Sequence, residues 1–161
     1  MRNCLGKALA IIGFPARGRR TVQSRSANGG WRNSSFQGYA DHMASAGFAD
    51  GLEQALAAAA RSRTALMCAE LLWWRCHRRL ISDLLVHRGH QVLHIQTERA
   101  PDPHRLNPMA QRAGEGLIYP PFAARLALRA TQPSSWPSAQ KWLTELRAGA
   151  MIRGIYWGVA P

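Results

Sequence analysis

The sequence predicts an α/β protein with a small open, mostly parallel sheet, flanking helices, and irregular N- and C-terminal segments. Two short apolar runs, at residues 63–67 and 91–95, are bounded by polar residues in the way that strands are. Between them, residues 77–88 place apolar side chains at helical spacing. Strand, helix and strand in that order form a βαβ unit with parallel strands, so the expected fold is an incomplete Rossmann-like sheet.

Each predicted element has its own local signal. Residues 15–36 are rich in Gly, Arg, Ser and Asn, which predicts a loop. Ser45 suits the N-cap of a helix over about 46–60, where an Ala-rich segment carries one apolar stripe. Gly89 can end the next helix, over about 77–87, as a left-handed cap. Three prolines exclude a regular helix at 101–108, and residues 117–119 make at most a short edge strand.

Length and composition bound the class of protein. A chain of 161 residues, 47% of them hydrophobic, suits a single domain with its own core, which excludes disorder throughout. We divide it into an irregular segment at 1–17, an α/β domain at 18–121 and a tail of uncertain order at 122–161. No apolar run is long enough to cross a membrane, so no membrane association is expected.

Charge and cysteine usage bear on the partners and on the compartment. The net charge is +12, and the cations are 19 Arg but only 2 Lys. This surplus suits an anionic small molecule or a nucleic acid as partner, although a GC-rich genome also produces Arg-rich chains. The three cysteines are too few and too odd in number for a disulfide framework, so we expect a reducing, cytoplasmic location.

Reactive side chains concentrate between the first predicted strand and the following helix. Cys68 ends the strand, Glu70 follows it, and Cys76 and His77 precede the helix. Open α/β sheets bind ligands where strand carboxyl ends meet helix amino ends. A helix amino end also favours a thiolate. Cys76 or Cys68 would then act as nucleophile and His77 as the base, and Glu70 would orient that base or act as an acid.

Interpretations of the same residues without catalysis stay open. Cysteine is often packed and inert, and His77 shares a helical face with apolar residues. A metal site is the weaker interpretation because the spacing lacks the paired close ligands of structural zinc sites. The sequence therefore predicts neither a metal nor a cofactor.

Arg78 and Arg79 place two cations in the first helical turn, where the helix dipole favours acidic residues. An anionic or phosphate-bearing ligand would remove this electrostatic cost. Alternatively, both side chains extend into water, with Arg79 touching Asp83 one turn later.

Aromatic side chains add to the predicted pocket. Trp73 and Trp74 lie in the turn between the cysteines, where they either stack on a base or sugar or, as we favour, shield the thiols from water. A second, aromatic and basic wall would come from Trp31, Arg32, Asn33 and Tyr39.

Several motifs together resemble the bacterial family of unknown function numbered 488, DUF488. They cover roughly residues 18–120, and the pair Cys-Ala-Glu and Cys-His-Arg is the most specific signal. The resemblance implies a compact α/β domain with no established activity, and its carboxyl-terminal motif adds His104 and Arg105 to the candidate ligand-binding residues. The motifs are Gly29-Gly30-Trp31-Arg32-Asn33, Gly38-Tyr39-Ala40-Asp41-His42-Met43, Ala65-Leu66-Met67-Cys68-Ala69-Glu70, Cys76-His77-Arg78-Arg79-Leu80-Ile81, Gly89-His90-Gln91-Val92-Leu93-His94-Ile95 and Pro103-His104-Arg105-Leu106-Asn107-Pro108.

Two departures from the family pattern bear on activity. Members usually begin with strands that end in Gly-His-Ser and Asp-Val-Arg, and neither motif occurs here. The tail after Pro121 also matches no part of the family pattern. We therefore expect a shortened or frame-altered member whose sheet lacks its first strands.

Three functions follow from the sequence. The leading hypothesis is binding of an anionic ligand, such as a nucleotide, phosphate or nucleic acid, at the strand-to-helix turn. The alternative is a cysteine-dependent hydrolase or transferase. The third is an inactive, truncated family member.

Overall fold

A computed structural model of the chain describes residues 20–61, 64–68, 70, 72–96, 101–129 and 155–159. The predicted irregular segment at 1–17 lies outside these residues. Four helices, six strands and one 3-10 turn are formed within them. In chain order they are α1 Ser34–His42, α2 Ala46–Arg61, β1 Thr64–Cys68, the 3-10 turn Trp73–Arg75, α3 Arg78–His87, β2 Val92–His94, β3 Asp102–Pro103, β4 Gln111–Ala113, β5 Gly116–Ile118, α4 Phe122–Arg129 and β6 Ile155–Val159.

Local signals account for the two central helices. Ser45 precedes α2, and its Oγ accepts the Phe48 backbone N–H at 3.3 Å, which confirms the predicted N-cap. After α3, Gly89 adopts a φ of 87°, a conformation that few residues other than glycine tolerate. The N–H groups of Gly89 and His90 then close onto Val86 and Leu85 carbonyls at 3.0 and 2.9 Å, which is the Schellman ending.

The strands form two sheets. In the larger one the order is β1-β6-β2-β3: β6 pairs in parallel with both β1 and β2, and β3 pairs antiparallel with β2. In the smaller one, β4 and β5 form an antiparallel hairpin. Gly114 has a φ of 60° in the tight turn of that hairpin.

The predicted fold class, an α/β protein with a mostly parallel, incomplete Rossmann-like sheet, is wrong. Two of the four strand pairings among the described residues are antiparallel, and β3, β4 and β5 follow one another with no helix between them. An antiparallel neighbour needs only a turn, whereas a parallel one needs a long crossover. In the described part of the predicted irregular C-terminal segment, α4 and β6 are regular elements, and β6 lies between β1 and β2.

A buried carboxylate fixes the loop that precedes α1. Asp41 accepts the Gln23 backbone N–H at 2.9 Å, the Ser26 hydroxyl at 2.7 Å and the Asn28 amide at 2.8 Å. Asn28 in turn accepts the Tyr119 backbone N–H at 2.8 Å. These hydrogen bonds satisfy buried polar groups and attach the loop to the segment that follows β5.

The hydrophobic core lies between the helices and the larger sheet. Leu52 of α2, Leu80 and Leu85 of α3, Leu66 of β1 and Val92 of β2 are all almost completely buried in one cluster. Burial of each such side chain contributes about 1.5–3 kcal/mol to folding. This core holds the end of β1 against the start of α3. In the described part of the chain, none of the helices combines the length and apolar character that a membrane span requires.

Candidate functional site

The end of β1 and the start of α3 bring two thiols and an imidazole together. Cys68 Sγ lies 3.1 Å from Cys76 Sγ, although eight positions separate the two residues in sequence. Cys76 Sγ lies 3.5 Å from Nδ1 of His77. The three side-chain donor atoms all fall within 4.8 Å of one another, which is close enough for a single metal ion to contact all three.

The two thiols differ in exposure. Cys68 is half-buried, whereas Cys76 is only 3% exposed. Burial raises the pKa of the Cys76 thiol to about 11, against the weaker opposing effect of the Arg78 backbone N–H, which donates to Cys76 Sγ at 3.5 Å. The expectation that the helix amino end makes Cys76 a thiolate is therefore wrong, because desolvation outweighs the hydrogen bond.

His77 is held between an aromatic ring and the thiols. Its ring stacks on Tyr39, with centroids 4.8 Å apart. Burial lowers the pKa of His77, the nearby Arg78 cation lowers it further, and Glu70 opposes this shift more weakly. His77 is thus uncharged near neutral pH and can accept a proton.

Glu70 does not orient His77 through a hydrogen bond among the described residues. Its side chain is exposed, and its backbone carbonyl accepts a hydrogen bond from the Arg78 guanidinium. The structure therefore gives Glu70 a long-range electrostatic effect on His77 and a backbone contact with Arg78.

The two arginines at the start of α3 lie in different environments. Arg78 is only 1% exposed. Arg79 is half-buried, and its guanidinium lies 5.1 Å from the Trp31 ring centroid. The alternative in which Arg79 contacts Asp83 is wrong, since the Asp83 carboxylate is buried and takes other partners.

That carboxylate anchors a buried polar network. Asp83 Oδ1 accepts from Nε2 of His104 at 2.9 Å and from the Asn107 backbone N–H at 2.8 Å. Its Oδ2 accepts the Tyr119 hydroxyl hydrogen at 3.0 Å. Nδ1 of His104 lies 2.9 Å from Nε2 of His94. The carboxylate therefore connects α3, β2 and the segments around β3 and β5.

The outer imidazole of this network is only partly hydrogen-bonded. Nε2 of His94 pairs with Nδ1 of His104, whose Nε2 bonds to Asp83. Nδ1 of His94 is buried and has no hydrogen-bond partner among the described residues. Trp73 stacks on this imidazole at 4.0 Å between centroids, and burial is the largest cause that lowers the pKa of His94, to about 4.

The other predicted site residues lie apart from the thiols or have structural roles. Trp31 packs on Phe36 and Tyr119, and Asn33 caps α1 by accepting the Ser35 N–H at 2.8 Å. Tyr39 is buried against His77, and burial raises the pKa of its hydroxyl well above the ordinary value. The side chains of Arg32 and Arg105 are exposed.

Comparison with protein families identifies the chain through this same region. Residues 7–85 match the model of DUF488, a domain of unknown function. The chain belongs to the DUF488 family. The DUF488 match includes Cys68, Cys76 and His77 but ends before His94 and His104, and the family description assigns no activity. Neither a curated protein nor a solved structure matches the chain.

Sequence reasoning missed most of the buried network. His104 was a predicted ligand-binding residue, but Asp83, His94, Asn107 and Tyr119 were not predicted for any site. A signal was present, since Asp83 interrupts the apolar face of α3 and His94 ends an apolar strand. Buried polar residues of this kind need partners.

Proposed function

We propose that this DUF488 protein carries out cysteine-dependent group transfer, with Cys68 as the nucleophile. One observation carries the proposal: the Cys68 and Cys76 sulfurs are 3.1 Å apart, and a histidine nitrogen lies 3.5 Å from Cys76 Sγ. A nucleophile next to a hydrogen-bonding partner and a base is the arrangement that covalent catalysis uses.

Exposure selects Cys68 over Cys76 as the attacking thiol. Cys68 is half-buried and accessible to a substrate, whereas Cys76 is 3% exposed, and burial raises its pKa to about 11. Cys76 therefore stays protonated near pH 7, and its S–H is placed to donate to a Cys68 thiolate.

Alkylation kinetics test this proposal. Iodoacetamide should label Cys68 in the folded protein at pH 7, and Cys76 only after denaturation. Peptide mass mapping assigns the label to each cysteine, and Cys4→Ser removes the third thiol from the background. Protection of Cys68 in the native state, with labelling only in denaturant, would remove the nucleophile and contradict the proposal.

A second candidate, binding of an anionic group, is favoured by Arg79. The first turn of α3 contains no acidic residue, and the Arg79 guanidinium, which lies over Trp31, has no carboxylate partner among the described residues. However, the first amide hydrogens of α3 are already used: the Arg78 and Arg79 N–H groups bond to the Cys76 sulfur and carbonyl. The anion would therefore bind to side chains rather than to the helix end.

Phosphate titration distinguishes this candidate from nonspecific charge. Arg79→Gln should weaken inorganic phosphate binding by about tenfold, the effect of one charge-assisted contact. Arg25→Gln removes an equal charge from an exposed position and serves as the matched control. Equal affinity in both variants, measured by calorimetry, would rule out a site at Arg79.

A further inference from the structure

The separation of the two sulfurs is the starting point. Both cysteines are free thiols, and their Sγ atoms lie 3.1 Å apart. A disulfide bond is about 2.03–2.05 Å long, so the two sulfurs need to approach by only about one ångström to bond. They lie at the end of β1 and in the turn before α3.

The two thiols are also unequal in the way that disulfide exchange requires. One thiol must be reachable by a substrate, and the other must stay protonated until a mixed disulfide has formed. Cys68 is half-buried and Cys76 is 3% exposed, so only the first meets a substrate readily.

We propose that Cys68 and Cys76 form a redox-active pair that reduces organic disulfides. This inference rests on the proposed function, because it uses Cys68 as the nucleophile, and it adds the substrate class and the role of Cys76.

The reaction has two balanced steps. In the first, the Cys68 thiolate attacks one sulfur of a disulfide R–S–S–R, forms a mixed disulfide, and releases one thiolate R–S⁻. In the second, Cys76 loses its proton to Nδ1 of His77 and attacks Cys68 Sγ. The Cys68–Cys76 disulfide forms, and the second R–S⁻ leaves and takes up the proton. The first R–S⁻ takes up the proton that Cys68 lost on ionising, so the protein loses two hydrogens in total and the substrate gains two.

Position supports His77 as the proton acceptor of the second step. Its Nδ1 is 3.5 Å from Cys76 Sγ, and its ring is fixed against Tyr39 with centroids 4.8 Å apart. Burial and the Arg78 cation keep the imidazole unprotonated near neutral pH, so Nδ1 offers a lone pair to the thiol.

Trapping of the mixed disulfide tests the order of the two steps. Three variants are incubated with oxidised glutathione, and their intact masses are followed over time. All three carry Cys4→Ser; one keeps both site cysteines, one adds Cys76→Ser and one adds Cys68→Ser. The protein with both site cysteines should lose two hydrogens and keep no adduct. The Cys76→Ser form should accumulate glutathione on Cys68. The Cys68→Ser form should react about tenfold more slowly than an ordinary thiol, since Cys76 is only 3% exposed and its burial still raises the pKa of the thiol.

The outcomes separate the inference from the proposed function. If iodoacetamide labels Cys68 but the two-cysteine protein keeps its glutathione adduct, Cys76 does not resolve it and the redox pair is refuted, while the nucleophile stands. If Cys68 reacts with neither reagent, both proposals fail. Stoichiometric metal in the purified protein, with both thiols protected until a chelator is added, would also overturn the redox pair. If the buried serine of the Cys76→Ser variant prevents folding, the mixed-disulfide experiment is repeated with Cys76→Ala.

Discussion

Replacing Asp83 by asparagine changes the centre of the buried network while keeping its shape. The Asp83 carboxylate is fully buried and accepts hydrogen bonds from His104, Asn107 and Tyr119 at 2.8–3.0 Å. Hydrogen bonds to a charged group contribute about 1.5–3 kcal/mol each, and neutral ones about 0.5–1.5 kcal/mol. Losing the charge therefore costs about 1 kcal/mol per bond, or about 3 kcal/mol of unfolding free energy in total.

The amide can recover part of this loss. Its oxygen can take the place of Oδ1, and its NH₂ can donate to the Tyr119 hydroxyl, which then accepts instead of donating. We therefore expect Asp83→Asn to lower the unfolding free energy by about 2–3 kcal/mol, and Tyr119→Phe to lower it by about 1–2 kcal/mol. Because the two side chains are in contact, the double variant should depart from additivity by about 1 kcal/mol.

Urea unfolding, followed by tryptophan fluorescence, measures these differences. The shift in the urea midpoint is converted to a change in unfolding free energy by using the same m-value for all variants. Asp50→Asn, at an exposed position of α2, makes the same chemical change and should stay within about 0.5 kcal/mol of the natural protein. An Asp83→Asn midpoint equal to that of Asp50→Asn would show that the buried carboxylate does not hold these elements together.

Two further predictions concern His94 and two glycines. Burial lowers the pKa of His94 to about 4, so as the pH falls below about 6.5 the unfolded chain takes up a proton before the folded protein does. Between pH 7 and 4.5 the natural protein should therefore lose about 2–3 kcal/mol more stability than the His94→Gln variant. Urea unfolding at both pH values measures this difference, and equal losses in the two proteins would refute the prediction. A Cβ on Gly30 would lie 2.7 Å from the Tyr119 and Pro120 carbonyl oxygens, so Gly30→Ala should lower the unfolding free energy by about 1–3 kcal/mol. At Gly47 in α2 a Cβ would meet no atom within 4 Å, so Gly47→Ala should raise the unfolding free energy by up to about 1 kcal/mol. Urea midpoints that shift in the same direction in both variants would contradict the steric argument.

Elements with a complete local signal were predicted correctly. The cap at Ser45, the glycine ending at Gly89 and the apolar stripe of α2 each lie within or next to the helix that they determine, so short-range interactions decide them. The helix α1 was missed because its sequence is largely polar, and it is tertiary contact that buries Tyr39 and Asp41. Its N-cap at Asn33 was the one available signal.

The residues of the candidate site likewise fall into a group that the sequence predicted and a group that it did not. Cys68, Cys76 and His77 were expected together, because a strand end and a helix start close in sequence are close in space. The network around Asp83 joins residues up to 36 positions apart, and no local spacing indicates that Tyr119 reaches that carboxylate.

The sequence by itself determined the helices and strands between Ser45 and Ile95, and it located the thiols and the imidazole. Only the tertiary structure decided that β6 lies between β1 and β2 and that His94 and His104 meet at Asp83. It also decided which thiol is buried. The physical reason is range: caps and periodicity act over a few residues, whereas strand order and desolvation depend on which distant segments exclude water together.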